Sequence, residues 1–160
     1  AREHFGLEVA APEKLASYGK GAFDVVTLWH VMEHLQDING TWQRLSEILR
    51  DKGVLVIAVP NPASFDAEHY KEVWAAYDVP RHLWHFTPSA MQQFGAKFGF
   101  ILTERHPMPF DAFYVSMLSE KYRGSRMSFL KGMLTGTEAW FASLVKKERS
   151  SSMIYVFRKK

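Results

Sequence analysis

Two short apolar runs constrain this chain more than any other feature. Phe23-Asp24-Val25-Val26-Thr27-Leu28 and Val54-Leu55-Val56-Ile57-Ala58-Val59 are rich in β-branched residues and bounded by turn formers. Near-continuous runs of this kind read as strands covered on both faces, which is the pattern of a parallel sheet. Between them Trp42, Leu45, Ile48 and Leu49 share one helical face, with Asn39 or Thr41 as the expected cap. Asp51-Lys52-Gly53 turns the chain into the second run, and Pro60-Asn61-Pro62 ends it.

The rhythm continues downstream. Thr87-Pro88 is an N-cap followed by proline at the first helical position, with Met91, Phe94 and Phe98 on the buried face and Gly99 closing the helix. Phe100 to Arg105 reads as a strand. Asp111 is the expected cap of a helix containing Val115, Leu118 and Tyr122. A second helix runs from Met133 to Val145, weakened by Gly132 and Gly136. Met153 to Phe157 is a closing strand. Upstream, Leu7-Glu8-Val9 is a short strand candidate, and Ala1 to Gly6 reads as the last turn of a helix. Strand alternating with helix predicts an α/β fold with a doubly wound sheet.

Composition narrows the function classes. With 160 residues, 47% of them hydrophobic and 23% charged, the chain fits one domain with a real core. No apolar run reaches the roughly 18 residues that a membrane span needs. Cysteine is absent, which excludes disulfides and thiolate metal sites and fits a cytoplasmic location. The basic groups at Lys146, Lys147 and Arg149 and at Arg158-Lys159-Lys160 read as solvated surface, so no nucleic-acid partner is expected.

In such sheets ligands sit beyond the carboxyl ends of the strands. That points to Trp29–His34, Pro60–Ser64 and Ala10–Glu13. The same residues carry a resemblance. Phe23-Asp24-Val25-Val26, Trp29-His30-Val31-Met32-Glu33-His34-Leu35, Lys52-Gly53-Val54-Leu55-Val56-Ile57 with Pro60-Asn61, and Asp78-Val79-Pro80-Arg81-His82-Leu83-Trp84-His85-Phe86-Thr87-Pro88 occur in that order. Together they resemble class I AdoMet-dependent methyltransferases, and most of all the branch holding the ubiquinone-biosynthesis O-methyltransferases. The likeness covers residues 5–100; beyond that only the strand-helix rhythm continues.

The resemblance implies a Rossmann-like sheet, mostly parallel with an antiparallel last strand, and S-adenosyl-L-methionine lying across the strand ends. It implies a Gly-x-Gly-x-Gly-like turn after the first strand and an acidic residue after the second. On this alignment Leu7–Val9 is the third strand and Phe23–Leu28 the fourth, so the first two are missing. Gly19-Lys20-Gly21 is no substitute, because it precedes a strand, whereas a cofactor turn follows one and opens a helix. The expectation is a partial methyltransferase domain over residues 1–160 with a variable helical insertion at about 111–150. The intact parent would methylate a small-molecule acceptor, and this chain alone would be inactive. Ala11, Pro12, Trp29 and His30 would border the cofactor. The exposed edge of Phe23–Leu28 would invite pairing with a second copy.

His30, Glu33 and His34 are spaced i, i+3 and i+4, which on a helix puts them on one face. In the methyltransferase reading His30 or His34 takes the proton of the attacking acceptor, work suited to an imidazole. Some relatives bind a divalent metal through Glu-x-x-Glu-His, which would use Glu33 and His34 here, although His30 replaces the first glutamate. The spacing also matches the His-x-x-Glu-His signature of zinc metallopeptidases, with Glu104 as a third ligand. A third reading is a non-catalytic interaction or remnant domain, in which Glu33 and His34 merely bond neighbouring loops. For the acceptor, the candidates are Asn61, Arg81, His82 and His85, with Trp74, Tyr77 and Trp84 as apolar walls. The alternative is that Asp78 and Arg81 form an internal ion pair.

Overall fold

The computed structural model describes residues 2–160, with side chains from residue 4 onward. A short helix α1 (Arg2–Phe5) stops at Gly6, whose φ of 62° suits glycine. Leu7–Val9, expected as a strand, forms none, and Leu7 and Val9 are exposed. Three residues hold an extended conformation only as part of a ladder. Pro12–Ser17 then makes a 3-10 turn.

The sheet consists of β1 (Phe23–Trp29), β2 (Leu49–Pro60), β3 (Phe100–Met108) and β4 (Ser152–Lys159), in the order β1-β2-β4-β3. β1 and β2 pair in parallel, and β4 runs antiparallel to both β2 and β3. The first three strands therefore share one direction and the last strand of the chain opposes them. This is the Rossmann-like, mostly parallel arrangement with an antiparallel last strand. Leu28 faces Ile57 and Trp29 faces Ala58, so the tips of β1 and β2 lie side by side and point the same way. A crevice at those tips follows from the topology alone.

Two strand expectations need correction. β1 is not covered on both faces: Val25 and Trp29 are about half exposed, because β1 lies at the edge of the sheet. β2 starts at Leu49, and the turn expected at Asp51-Lys52-Gly53 appears inside it as a bulge. Phe23 faces Leu49 while Val25 already faces Val54, and Lys52 takes a φ of 62°.

The core is built on the α2 (Ile38–Ile48) side of the sheet. Ile38, Trp42, Leu45 and Ile48 are buried, and the Trp42 ring lies 5.5–5.9 Å from those of Phe94, Phe98, Phe100 and Phe157. The cap of α2 is Asp37 rather than Asn39 or Thr41, since its Oδ1 accepts the Gly40 N–H at 2.8 Å. The helix starts earlier because Ile38 already belongs to its buried face. After α3 (Phe65–Tyr70) and two 3-10 turns comes α4 (Pro88–Lys97), capped by Thr87 Oγ1 on the Ala90 N–H.

Between β3 and β4 stand α5 (Asp111–Tyr122) and α6 (Ser128–Val145), packed on each other. Gly132 and Gly136 do not weaken α6 but let it approach α5. A Cβ on Gly132 would sit 2.4 Å from Met117 Cα, and one on Gly136 2.8 Å from Phe113 Cα. α6 therefore begins five residues before the expected Met133. Asp111 makes no cap bond; its carboxylate turns elsewhere. Among the described residues no helix is long and apolar enough to cross a membrane.

Candidate functional site

The end of β1 determines the site. His30 donates its backbone N–H to Ala58 O at 3.0 Å, which carries the ladder one residue beyond the strand, and then turns at a φ of 52°. Met32–His34 is a single 3-10 turn. His30, Glu33 and His34 therefore do not share the face of an α-helix, as their spacing suggested. The sharp turn sends His30 and His34 to different neighbours.

The His30 Nδ1 lies 3.2 Å from Glu33 Oε1, and its Nε2 lies 3.6 Å from Asp111 Oδ2 at the start of α5. An imidazole held between two carboxylates is stabilised in its charged form. The hydrogen bond to Glu33 pushes the His30 pKa up, partial burial opposes this, and the charges of Glu33 and Asp111 add to the rise. Glu33 is 1% exposed, and its Oε2 has no hydrogen-bond partner among the described residues. A buried carboxylate oxygen left open is costly unless something else meets it. The Glu33 backbone oxygen also accepts the N–H groups of Leu83 at 2.8 Å and Trp84 at 3.3 Å, which ties the Pro-Arg-His loop to the strand end.

On the other side, His34 donates Nδ1–H to Arg81 O at 3.0 Å, and its ring meets that of His82 edge-on at 4.7 Å. His82 donates Nδ1–H to Ala76 O at 2.8 Å and holds Nε2 3.7 Å from Asp78 Oδ2. Arg81 Nη2 pairs with Asp78 Oδ1 at 2.5 Å, so the internal ion pair does form, while the guanidinium stays largely exposed. The Glu33, His34 and His82 side chains each offer a ligand atom, all within 4.8 Å of one another.

These groups, His34 excepted, surround a cavity of about 330 Å³. His30, Glu33, Asp78, Arg81, His82, Asp111 and Ser152 supply its polar wall, and Pro60, Ala75, Ala76, Tyr114, Val115 and Leu118 the rest. Such a size and mixture suit a small molecule. Several expected residues do not line it. Trp29 ends β1, half exposed, beside the cavity-lining His30. Ala11 and Pro12 are exposed at the start of the 3-10 turn. His85 donates Nε2–H to Tyr77 O at 3.1 Å outside the cavity. Asn61 is fully buried; its amide donates to Glu148 O at 2.7 Å and Ser150 O at 3.0 Å, and its Oδ1 accepts the Ala63 N–H at 3.0 Å. Asn61 thus pins the end of β2 to the approach of β4, with no polar atom left for a ligand.

The aromatic walls also differ from expectation. Trp74 is core, its Nε1–H bonded to the buried Asp66 at 2.7 Å, and Trp84 bonds Leu35 O at 2.7 Å. Neither Trp74, Tyr77 nor Trp84 lines the cavity; Ala75 and Ala76 do. Sequence reasoning missed Asp111 and Tyr114 as cavity residues. The only available signal was an acidic residue in a first helical turn, which ordinarily means capping. The zinc-peptidase pattern loses its basis, because its histidines must project from one helix, and Glu104 instead pairs with His106 on β3 at 2.8 Å.

The methyltransferase domain family matches residues 4–105 of the chain. No curated protein gives a significant match. Among solved structures, a SAM-dependent methyltransferase from Thermotoga maritima superposes with a TM-score of 0.56 at 12% identity, covering 94% of this chain and 60% of that one. The 1,6-didemethyltoxoflavin-N1-methyltransferase of Burkholderia thailandensis gives 0.53 at 14%, covering 95% and 50%. The [4+2]-cyclase SpnF gives 0.55 at 12%, covering 94% and 52%. The chain thus spans 50–60% of the length of these three structures. Likeness at this identity establishes the fold alone, and the cyclase among them shows that the fold serves more than one reaction.

Proposed function

The chain belongs to the methyltransferase domain family, and on that premise we propose that it forms the acceptor-facing part of an AdoMet-dependent methyltransferase acting on a small molecule. One observation carries the reading: His30 stands in the cavity at the tip of β1, between Glu33 and Asp111. Neutral His30 donates Nδ1–H to Glu33 and keeps its Nε2 lone pair toward the cavity. That nitrogen takes the proton of an attacking hydroxyl or amine, and Asp111 stabilises the imidazolium that results. Arg81 and His82 orient the acceptor, and the apolar wall keeps water from it. His34 is a second candidate for the base, held outside the cavity lining by its bond to Arg81 O.

S-adenosyl-L-methionine supplies an activated methyl group on a sulfonium. The residues at hand fit only part of it. Trp29 and Val31 leave apolar surface exposed beside His30 at an edge strand, as the methionine end of a cofactor would require. Ala11 and Pro12 are the other proposed contacts. The 160 residues hold no glycine turn that follows a strand and opens a helix. The chain by itself therefore binds the cofactor weakly or not at all, and the exposed β1 edge is where further polypeptide or a second copy pairs. The Pro-Arg-His segment favours the ubiquinone O-methyltransferase-like branch. Location is cytoplasmic in this reading. A divalent cation fits Glu33, His34 and His82: both Nδ1 atoms are fixed by carbonyls, which leaves Nε2 as the ligand atom of each, that of His82 also lying 3.7 Å from Asp78 Oδ2, and Glu33 Oε2 is open.

The test has two arms. Calorimetry of the 160-residue chain with S-adenosyl-L-methionine is expected to show no micromolar binding. In a protein carrying this segment behind a glycine-rich turn, labelled methyl should pass to small acceptors, and His30→Gln should lower kcat by about 10²–10⁴-fold. Unchanged turnover in that variant removes His30 as the base. Metal analysis after dialysis decides the cation.

A further inference from the structure

α6 is built inside out. Its face against α5 and α3 carries Gly132, Thr135, Gly136, Ala139 and Ser143, all small and buried. Its large apolar side chains point away: Phe129, Leu130, Leu134, Phe141, Leu144 and Val145 are 56–91% exposed. Leu130, Leu134, Phe141 and Val145 fall within an arc of about 60° on a helix roughly 27 Å long, in two apolar pairs with the exposed Glu138 between them at the edge of that arc. Monomeric soluble proteins rarely leave a contiguous apolar patch of more than a few hundred Å² uncovered, and six such side chains exceed what chance exposure explains.

Charge says what covers it. Arg126 and Lys131 stand at the start of the helix and Lys146 and Lys147 at its end, all exposed and without an ion pair among the described residues. Glu138 is the one acid within α6. A second copy laid on the stripe would bring basic end against basic end in either orientation. An anionic surface neutralises both ends at once. We propose that α6 docks this protein onto an anionic lipid bilayer, lying in the plane of the interface with its apolar stripe in the acyl boundary and its end cations at the headgroups. The helix does not span. This docking stands independently of the chemistry assigned to the cavity.

The experiment is co-sedimentation of the full chain with vesicles of equimolar phosphatidylcholine and phosphatidylglycerol, and with phosphatidylcholine alone. The expected result is binding to the anionic vesicles that weakens with salt. Leu134→Ser with Phe141→Ser should lower the partition coefficient at least tenfold, and Lys146→Gln with Lys147→Gln several-fold. These positions are exposed, so an unchanged urea midpoint certifies the fold. Three results overturn the proposal: no binding to anionic vesicles, equal binding by the Ser variant, or a dimer in sedimentation velocity that the Ser substitutions dissolve.

Discussion

Replacing Gly132 by alanine sets two effects of opposite sign against each other in the second turn of α6. Alanine is the better helix former, by about 1 kcal/mol in a helix interior. The new Cβ, however, lands 2.4 Å from Met117 Cα and 2.6 Å from Met117 N. Carbon atoms in good contact sit about 3.5–4.0 Å apart, so α5 and α6 have to separate by roughly 1 Å. Overpacking of this kind costs about 1–3 kcal/mol. Here the obstacle is backbone, which has no rotamer to yield, so the upper part of that range applies. The steric effect wins, and the net loss is about 1–2 kcal/mol. Urea unfolding followed by tryptophan fluorescence measures it. Gly19→Ala is the control, because nothing lies within 4 Å of its Cβ position and its φ is not positive; it should be neutral or slightly stabilising. A Gly132→Ala protein with a raised urea midpoint would mean that the helices are not in van der Waals contact there, and the account of the insertion would fail.

Glu33→Gln removes the main cause of the raised His30 pKa, so His30 should titrate lower, which NMR of its imidazole reads directly. A histidine whose folded pKa is raised stabilises fully below its unfolded value of about 6.5, and that stability is lost as pH rises through the folded pKa. The wild-type protein should therefore lose stability relative to Glu33→Gln between pH 6.5 and the raised value; a difference that stays flat with pH would count against the pair. Asn61→Ala strands two carbonyls and one N–H at the junction of β2 and β4, and should cost about 2–4 kcal/mol in urea unfolding. A loss below about 1 kcal/mol would show that water replaces the amide.

What the sequence made legible follows from how local the cause is. The runs at Phe23 and Val54 become paired parallel strands because their β-branched residues fit a covered sheet. Thr87-Pro88 starts a helix because an Oγ cap and a fixed proline φ act within three residues. The errors arise where the cause is distant. Leu7–Val9 has strand composition, but composition supplies no ladder. Val25 looked buried because a run of valines says nothing of which strands stand beside it. Gly132 and Gly136 looked like weak points because their use depends on a second helix.

The site divides along the same line. The position of His30 and Glu33 at the strand tip follows from the parallel pairing of β1 and β2, which periodicity announces. The second carboxylate on His30 does not. Asp111 lies 81 residues further on, outside the matched residues 4–105, and no motif marks it. What brings it there is the length of β3. The strand was expected to end at Arg105 but continues to Met108, held by the pairing of His106, Pro107 and Met108 with β4. Those residues carry the chain to the carboxyl end of the sheet, the side on which β1 and β2 also end, so that α5 opens above the crevice and its first residue faces His30. A strand ending at Arg105 would begin the helix about 10 Å lower, out of reach of the imidazole. The electrostatics of a strand tip inside the family match are thus completed by a segment from beyond it, through a strand length that no residue type encodes.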